Sequence, residues 1–306
     1  MTRKSEKPSR TVLALVQMAC GPDPDRNLQS ALAGVGRAAA RGAQVICLPE
    51  LFRTQYFCQE ADADNFDLAE TIPGPTTSAL SAAAREHGAV IVAGIFERRA
   101  SGVFHNTAVV LDADGSLIGT YRKMHIPDDP LYCEKFYFTP GDLGFRVFRT
   151  RFGRIAPLIC WDQWFPEAAR LATLAGAEFL IYPTTIGWHP SEVESQGAVQ
   201  REAWSVVQRA HAIANGVFVA AINRVGAERT LDASESRPAN YQGLRFWGHS
   251  FVCDPLGAVI GTAGEREELV VAVCDRAEIE RTRRDWPFLR DRRIDSYNQM
   301  TERSLE

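Results

Sequence analysis

The chain has 306 residues, 45% of them hydrophobic and 24% charged, an ordinary globular composition that suits one large domain or two small ones. A formal net charge of −4 argues against a nucleic-acid groove or a patch for anionic membranes. No apolar run approaches membrane-spanning length, and the polar start, residues 1–10, reads as a loose tail and not a signal peptide. A cytoplasmic location is therefore expected, with small molecules and copies of the chain as partners.

Beyond the tail, residues 11–306 read as one domain of alternating strands and helices. Residues 11–18 predict a strand. Residues 27–41 predict a helix with Leu28, Ala31, Leu32, Val35 and Ala38 on one face. A strand at 45–48 stops at Pro49, a helix spans 76–87, and 89–96 is a buried strand. Segments 107–112 and 117–121 flank Ala113-Asp-Gly-Ser116, a hairpin signal. The second half alternates in the same way, with a strand at 154–159, a helix at 166–175 opening on Pro166, and a strand at 179–182. A long helix over 199–215 ends at Asn-Gly, and strands follow at 217–222, 250–253, 258–262 and 269–274. A C-terminal arm begins with a helix near 276. Strands alternating with helices, plus hairpins, predict an α/β fold in which a mixed sheet carries helices outside.

Seven cysteines (20, 47, 58, 133, 160, 253, 274) have irregular spacing and no Cys-x-x-Cys, so no disulfide framework is predicted. Six scattered histidines form no ligand pair, and no Gly-x-Gly-x-x-Gly or phosphate loop opens a helix. Neither a metal nor a cofactor is expected.

Three strand ends carry reactive side chains, where α/β proteins tend to place chemistry. Val45-Ile-Cys-Leu-Pro-Glu50 ends on a carboxylate, Leu117-Ile-Gly-Thr-Tyr-Arg-Lys123 on an amine, and Ile155-Ala-Pro-Leu-Ile-Cys160 on a thiol. Taken singly, each has an ordinary reading as packing or surface charge. Together they suit acyl transfer. Thiolate is scarce at neutral pH, so a base must take the thiol proton, and Glu50 could do so if burial raises its pKa. Lys123 and the Trp161 backbone N–H would hold the oxyanion.

Leu48-Pro-Glu50, Tyr121-Arg-Lys123-Met-His-Ile-Pro and Leu158-Ile-Cys160-Trp-Asp-Gln-Trp-Phe-Pro-Glu together resemble the nitrilase (carbon–nitrogen hydrolase) superfamily. The likeness runs from about residue 11 to 297. It implies a four-layer α-β-β-α sandwich, a Glu50–Lys123–Cys160 triad and a homo-oligomer. It also matches Glu134 to a second glutamate beside the lysine, positioning Lys123 and the substrate amide. Four further segments, from Glu134, Tyr182, Gln200 and Trp286 onward, resemble the branch acting on N-carbamoyl amines such as N-carbamoylputrescine. The reaction so implied gives putrescine, carbon dioxide and ammonia through a carbamoyl group on Cys160.

A cationic amine tail calls for carboxylates or aromatic faces. Asp128, Asp129, Glu192 and Glu194 are candidates for the pocket rim, and Tyr56 and Trp188 for its lining. Two rival readings stand beside this one. An amidohydrolase for N-carbamoyl amino acids would need Arg or Lys in the pocket. A non-catalytic assembly module would have no need of all three triad residues.

Overall fold

The structure is a computed structural model that describes residues 9–189, 191–229 and 243–306. Its first half runs β1 (Arg10–Gln17), α1 (Pro24–Ala40), β2 (Val45–Cys47), α2 (Pro75–His87), β3 (Val90–Ala100), β4 (Val103–Leu111), β5 (Leu117–Arg122) and a one-turn α3 (Glu134–Tyr137). The second half runs β6 (Phe148–Thr150), β7 (Gly153–Pro157), α4 (Pro166–Leu174), β8 (Phe179–Pro183), β9 (Gly187–Trp188), α5 (Val193–Asn215) and β10 (Phe218–Ile222). After it come β11 (Val225–Glu228), β12 (Leu244–Trp247), β13 (Phe251–Cys253), β14 (Val259–Thr262), β15 (Glu268–Asp275) and α6 (Ala277–Asp285).

Two six-stranded sheets result, ordered β15-β1-β2-β3-β4-β5 and β14-β13-β10-β8-β7-β6. Each has three parallel central strands (β1, β2, β3 and β7, β8, β10) flanked by antiparallel ones. Strand alternation explains the layering. Leu13 and Leu15 of β1 share one buried cluster with Ile155, Leu180 and Val219 of the other sheet, while Ala14 and Val16 join α1 and α2. The inter-sheet cluster continues into α4 and α5 through Ala168, Ala172, Trp204 and Ala212. The order is helices, sheet, sheet, helices, which makes a four-layer α-β-β-α sandwich. Because both faces of the central strands are covered, they read in sequence as continuous apolar runs.

Some boundaries differ from the predicted ones for identifiable reasons. Helix α1 starts a turn before residue 27 because Asp23 caps it, accepting the Asp25 and Arg26 N–H groups at 2.9 and 3.1 Å. The polar residues after 96 do not end β3, since Glu97 is buried against Arg122 and Thr107, which donate to it at 2.6–2.8 Å. A small third sheet, β11-β12-β9, has no counterpart in the predicted elements. Among the described residues no helix is long and apolar enough to cross a membrane.

Strand β3 passes directly behind the turn that follows β2, and Gly94 makes the approach feasible. A Cβ at that position would lie 2.8 Å from the Leu51 N and 2.9 Å from the Glu50 Cα, both backbone atoms that cannot swing away. Gly94→Ala is expected to destabilise the protein by about 1–3 kcal/mol, seen as a lower urea midpoint. An unchanged midpoint would show that the turn yields freely.

Candidate active site

The three reactive strand ends meet between the sheets. Beyond β2, Leu48 keeps the ladder by donating to Val92 O at 2.9 Å, and the chain then turns at Glu50, with Leu51 at φ +47°. Lys123 follows β5 immediately, its N–H bonded to Asn106 O at 2.9 Å. Cys160 stands three residues beyond β7 at φ +41°, opening the 3-10 turn Cys160–Trp164. Left-handed backbone at a residue with a side chain costs of order 1–3 kcal/mol and persists only where surroundings impose it.

Lys123 is the centre of the cluster. Its ammonium donates to Glu50 Oε1 at 2.9 Å and to Glu134 Oε2 at 2.6 Å, all three side chains being buried. Burial alone would drive the lysine toward its neutral form, but the two carboxylates outweigh it and hold the pKa well above the ordinary value. Burial pushes Glu134 up to about 7, against the pull of Lys123 and with the charge of Glu50 adding to the rise. The Cys160 thiol is likewise held well above its usual range, first by burial and then by Glu50, with Lys123 opposing.

Neighbours fix the orientations. Asn106 donates to Glu50 Oε1 at 2.7 Å, while Glu50 Oε2 is buried with no hydrogen-bond partner among the described residues. Tyr56 donates its hydroxyl to Glu134 Oε1 at 2.8 Å. Thr185 bridges the Glu50 turn and the thiol, for its hydroxyl donates to Glu50 O at 3.1 Å and its carbonyl accepts from Cys160 Sγ at 3.8 Å. Asp162, fully buried, accepts from Ile159 N at 2.9 Å, the Tyr121 hydroxyl at 2.7 Å and His125 N at 3.1 Å, and its Oδ1 lies 2.7 Å from His125 Nδ1. Since Tyr121 and His125 flank Lys123, this carboxylate ties the lysine strand to the cysteine turn.

Above Cys160 opens a cavity of about 490 Å³. Glu134, Cys160, Trp161, Tyr132, Trp164, Thr185 and Trp247 line it, with Asp129, His189, Glu192 and Gln200 among the more polar walls. Of the residues expected to line a pocket, Trp161 does so. Tyr56 lies behind Glu134, and Trp188 backs onto Trp247 with its indole N–H donated to Gly197 O at 2.9 Å. Of the acids expected at the rim, Asp129 and Glu192 reach the cavity and Asp128 does not. The Glu194 side chain is outside the described residues. No group of three or more metal-ligating side chains occurs among the described residues.

Sequence reasoning alone does not single out Asn106, Thr185 or Arg224. Two of them nonetheless carry a signal. Asn106 is the middle of three polar residues, His105-Asn106-Thr107, in an otherwise apolar β4, and Asn223-Arg224 follow a buried strand just as Glu50 does.

The carbon–nitrogen hydrolase family profile matches residues 12–284. The chain belongs to the carbon–nitrogen hydrolase family. It is 43% identical over 295 residues to N-carbamoylputrescine amidase of Solanum lycopersicum, covering 96% of this chain and 95% of that protein. It is 36% identical to citrullinase of Francisella tularensis, covering 95% and 98%. Among solved structures, a carbon–nitrogen hydrolase from Helicobacter pylori G27 superposes with a TM-score of 0.92 at 42% identity, covering 97% of this chain and all of that one. This carbon–nitrogen hydrolase is therefore an enzyme acting on carbon–nitrogen bonds.

The raised pKa of Glu134 in the hydrolase has a consequence for stability. A carboxyl whose folded pKa lies above its unfolded value stabilises the fold fully below about pH 4.5, and that contribution is lost as pH rises through about 7. Glu134→Gln removes the titration. The unfolding free energy of wild type relative to Glu134→Gln should fall between pH 5 and pH 8 in urea titrations; a flat difference would refute the shift.

Proposed function

We propose that the enzyme hydrolyses N-carbamoyl amines, N-carbamoylputrescine foremost, to the free amine, carbon dioxide and ammonia. One observation carries the choice of tail: among the described residues no Lys or Arg lines the cavity, whereas the exposed acids Asp129 and Glu192 do. Glu192 Oε2 accepts from Gln200 Nε2 at 2.9 Å, which holds the carboxylate beside the opening. An N-carbamoyl amino acid would bring its own carboxylate to these acids without a cation to receive it. The likeness to N-carbamoylputrescine amidase supports the same reading.

In the chemistry proposed, Glu50 takes the Cys160 proton through its unpartnered Oε2 as sulfur attacks the ureido carbon. Lys123 and the Trp161 N–H receive the developing oxyanion, in a buried site where such donors act most strongly. Ammonia leaves with the proton carried by Glu50, and the carbamoyl group stays on sulfur. Water deprotonated by Glu50 then cleaves the carbon–sulfur bond, and the carbamic acid released breaks down to amine and carbon dioxide. Glu134 holds Lys123 in place as its second carboxylate partner. A non-catalytic role sits poorly with a complete, buried quartet of Glu50, Lys123, Glu134 and Cys160. We place this activity in the cytoplasm in a homo-oligomer; exposed apolar side chains on the C-terminal arm, Trp286, Phe288, Ile294 and Met300, favour association.

Ammonia release from N-carbamoylputrescine tests the assignment. Wild type should release it and Cys160→Ala should not; a covalent adduct trapped on any other cysteine would overturn the role of Cys160.

A second measurement addresses the tail. Asp129→Asn and Glu192→Gln should raise KM for N-carbamoylputrescine by about 10- to 100-fold in at least one variant, with kcat little changed. Unchanged KM in both, or equal turnover of a carboxylate-tailed analogue, would sink the amine reading.

A further inference from the structure

Arg224 is fully buried, and its two terminal nitrogens reach three carbonyls of one short stretch of backbone. Nη2 donates to Glu50 O at 2.8 Å and to Leu51 O at 3.0 Å, and Nη1 donates to Thr54 O at 3.1 Å. The same Nη1 pairs with both Glu228 oxygens at 3.0 and 3.1 Å, and the guanidinium stacks over the Phe246 ring at 5.5 Å. Glu228 in turn accepts the Tyr56 N–H at 2.6 Å, and the Tyr56 hydroxyl reaches Glu134. One cation thus grips the segment from Glu50 to Tyr56 at both ends, where it supplies one carboxylate of the lysine cluster and the residue that orients the other.

The segment needs such a grip. Leu51 is left-handed at φ +47°, immediately after Glu50, and an apolar side chain does not rest there unaided. The cost is offset if the carbonyls that this turn aims inward meet strong donors, and a charged, planar five-donor group supplies them at fixed angles. Lysine, a single point of charge, could not reach three carbonyls and a carboxylate at once.

We propose that Arg224, braced by Glu228, is a positioning residue for Glu50: it sets the backbone of the Glu50 turn and thereby aims the free carboxylate oxygen at the Cys160 thiol. The proposal rests on the reading of Glu50 as the base. If a strut of this kind is lost, the carboxylate moves by a fraction of an ångström to an ångström, enough to cost about 100-fold in the chemical step. Substrate contacts are untouched, because neither Arg224 nor Glu228 lines the cavity.

The experiment uses two variants, Arg224→Lys and Glu228→Gln, with Glu50→Gln as reference. Cys160 alkylation by iodoacetamide is followed as a function of pH, and kcat and KM are measured for N-carbamoylputrescine, all below each variant's melting temperature. Arg224→Lys should lower kcat by about 100-fold with KM within about threefold, and its alkylation pH profile should move toward that of Glu50→Gln. Glu228→Gln, the milder change, should shift both readouts in the same direction by a smaller factor, which keeps the test decisive if Arg224→Lys does not fold. A variant that melts earlier yet keeps the wild-type kcat and alkylation profile would make the pair merely structural and overturn the proposal. Alkylation does not depend on the substrate chosen, so failure of wild type to release ammonia from N-carbamoylputrescine would strike the substrate reading alone.

Discussion

Everything in this site depends on a lysine ammonium held away from water between two carboxylates. An isolated ammonium in the interior would be neutralised or would not be buried at all. Lys123 stays charged because Glu50 and Glu134 stand at 2.9 and 2.6 Å, and they in turn tolerate burial because Lys123 is there. Such an arrangement is a poor contributor to stability, since desolvation consumes most of the attraction. Its use is in chemistry. In the mechanism proposed, it supplies a carboxylate to take the thiol proton and a cation to meet the negative charge that develops.

The fold solves the problem of bringing these groups together by using strand ends from both sheets. Glu50 and Lys123 come from the first sheet and Cys160 from the second. The groups therefore assemble only when the two sheets have packed, and their separation is fixed by the side chains between the sheets. Tethers such as Thr185, Asp162 and Arg224 refine that spacing by bonding the loops of one sheet to those of the other. Thr185 and Arg224 reach the Glu50 carbonyl from the second sheet, and Asp162 holds its own turn while accepting from Tyr121.

Much of this is legible in the chain itself. Apolar runs leading to Glu50 and Cys160, with Lys123 closing a half-buried strand, single out the candidate residues because a strand that stops on a charge or thiol must put it somewhere constrained. The four layers follow from family likeness more than from pattern, since continuous apolar strands do not say whether helices or a second sheet cover their other face. What stays hidden is tertiary. Glu134 reads locally as a loop charge because its one-turn helix carries no periodicity. Tyr56 reads as pocket lining because an aromatic near a reactive residue gives no hint that its hydroxyl is used behind the carboxylate. Thr185 carries no local mark at all, since its part is defined by two loops distant in sequence.

The cavity has its own division of labour. Its floor is built from strand ends and tight turns, whereas Asp129 belongs to the connection between β5 and α3 and Glu192 to the approach to α5. Loops of this kind accept substitution without disturbing the sheets beneath them. A reactive floor and a mouth that selects as proposed can thus drift at different rates: one scaffold keeps a fixed bond-breaking step while the shape and charge of what it admits are rewritten. That separation gives a physical basis for amidases of differing substrate being spread across one fold.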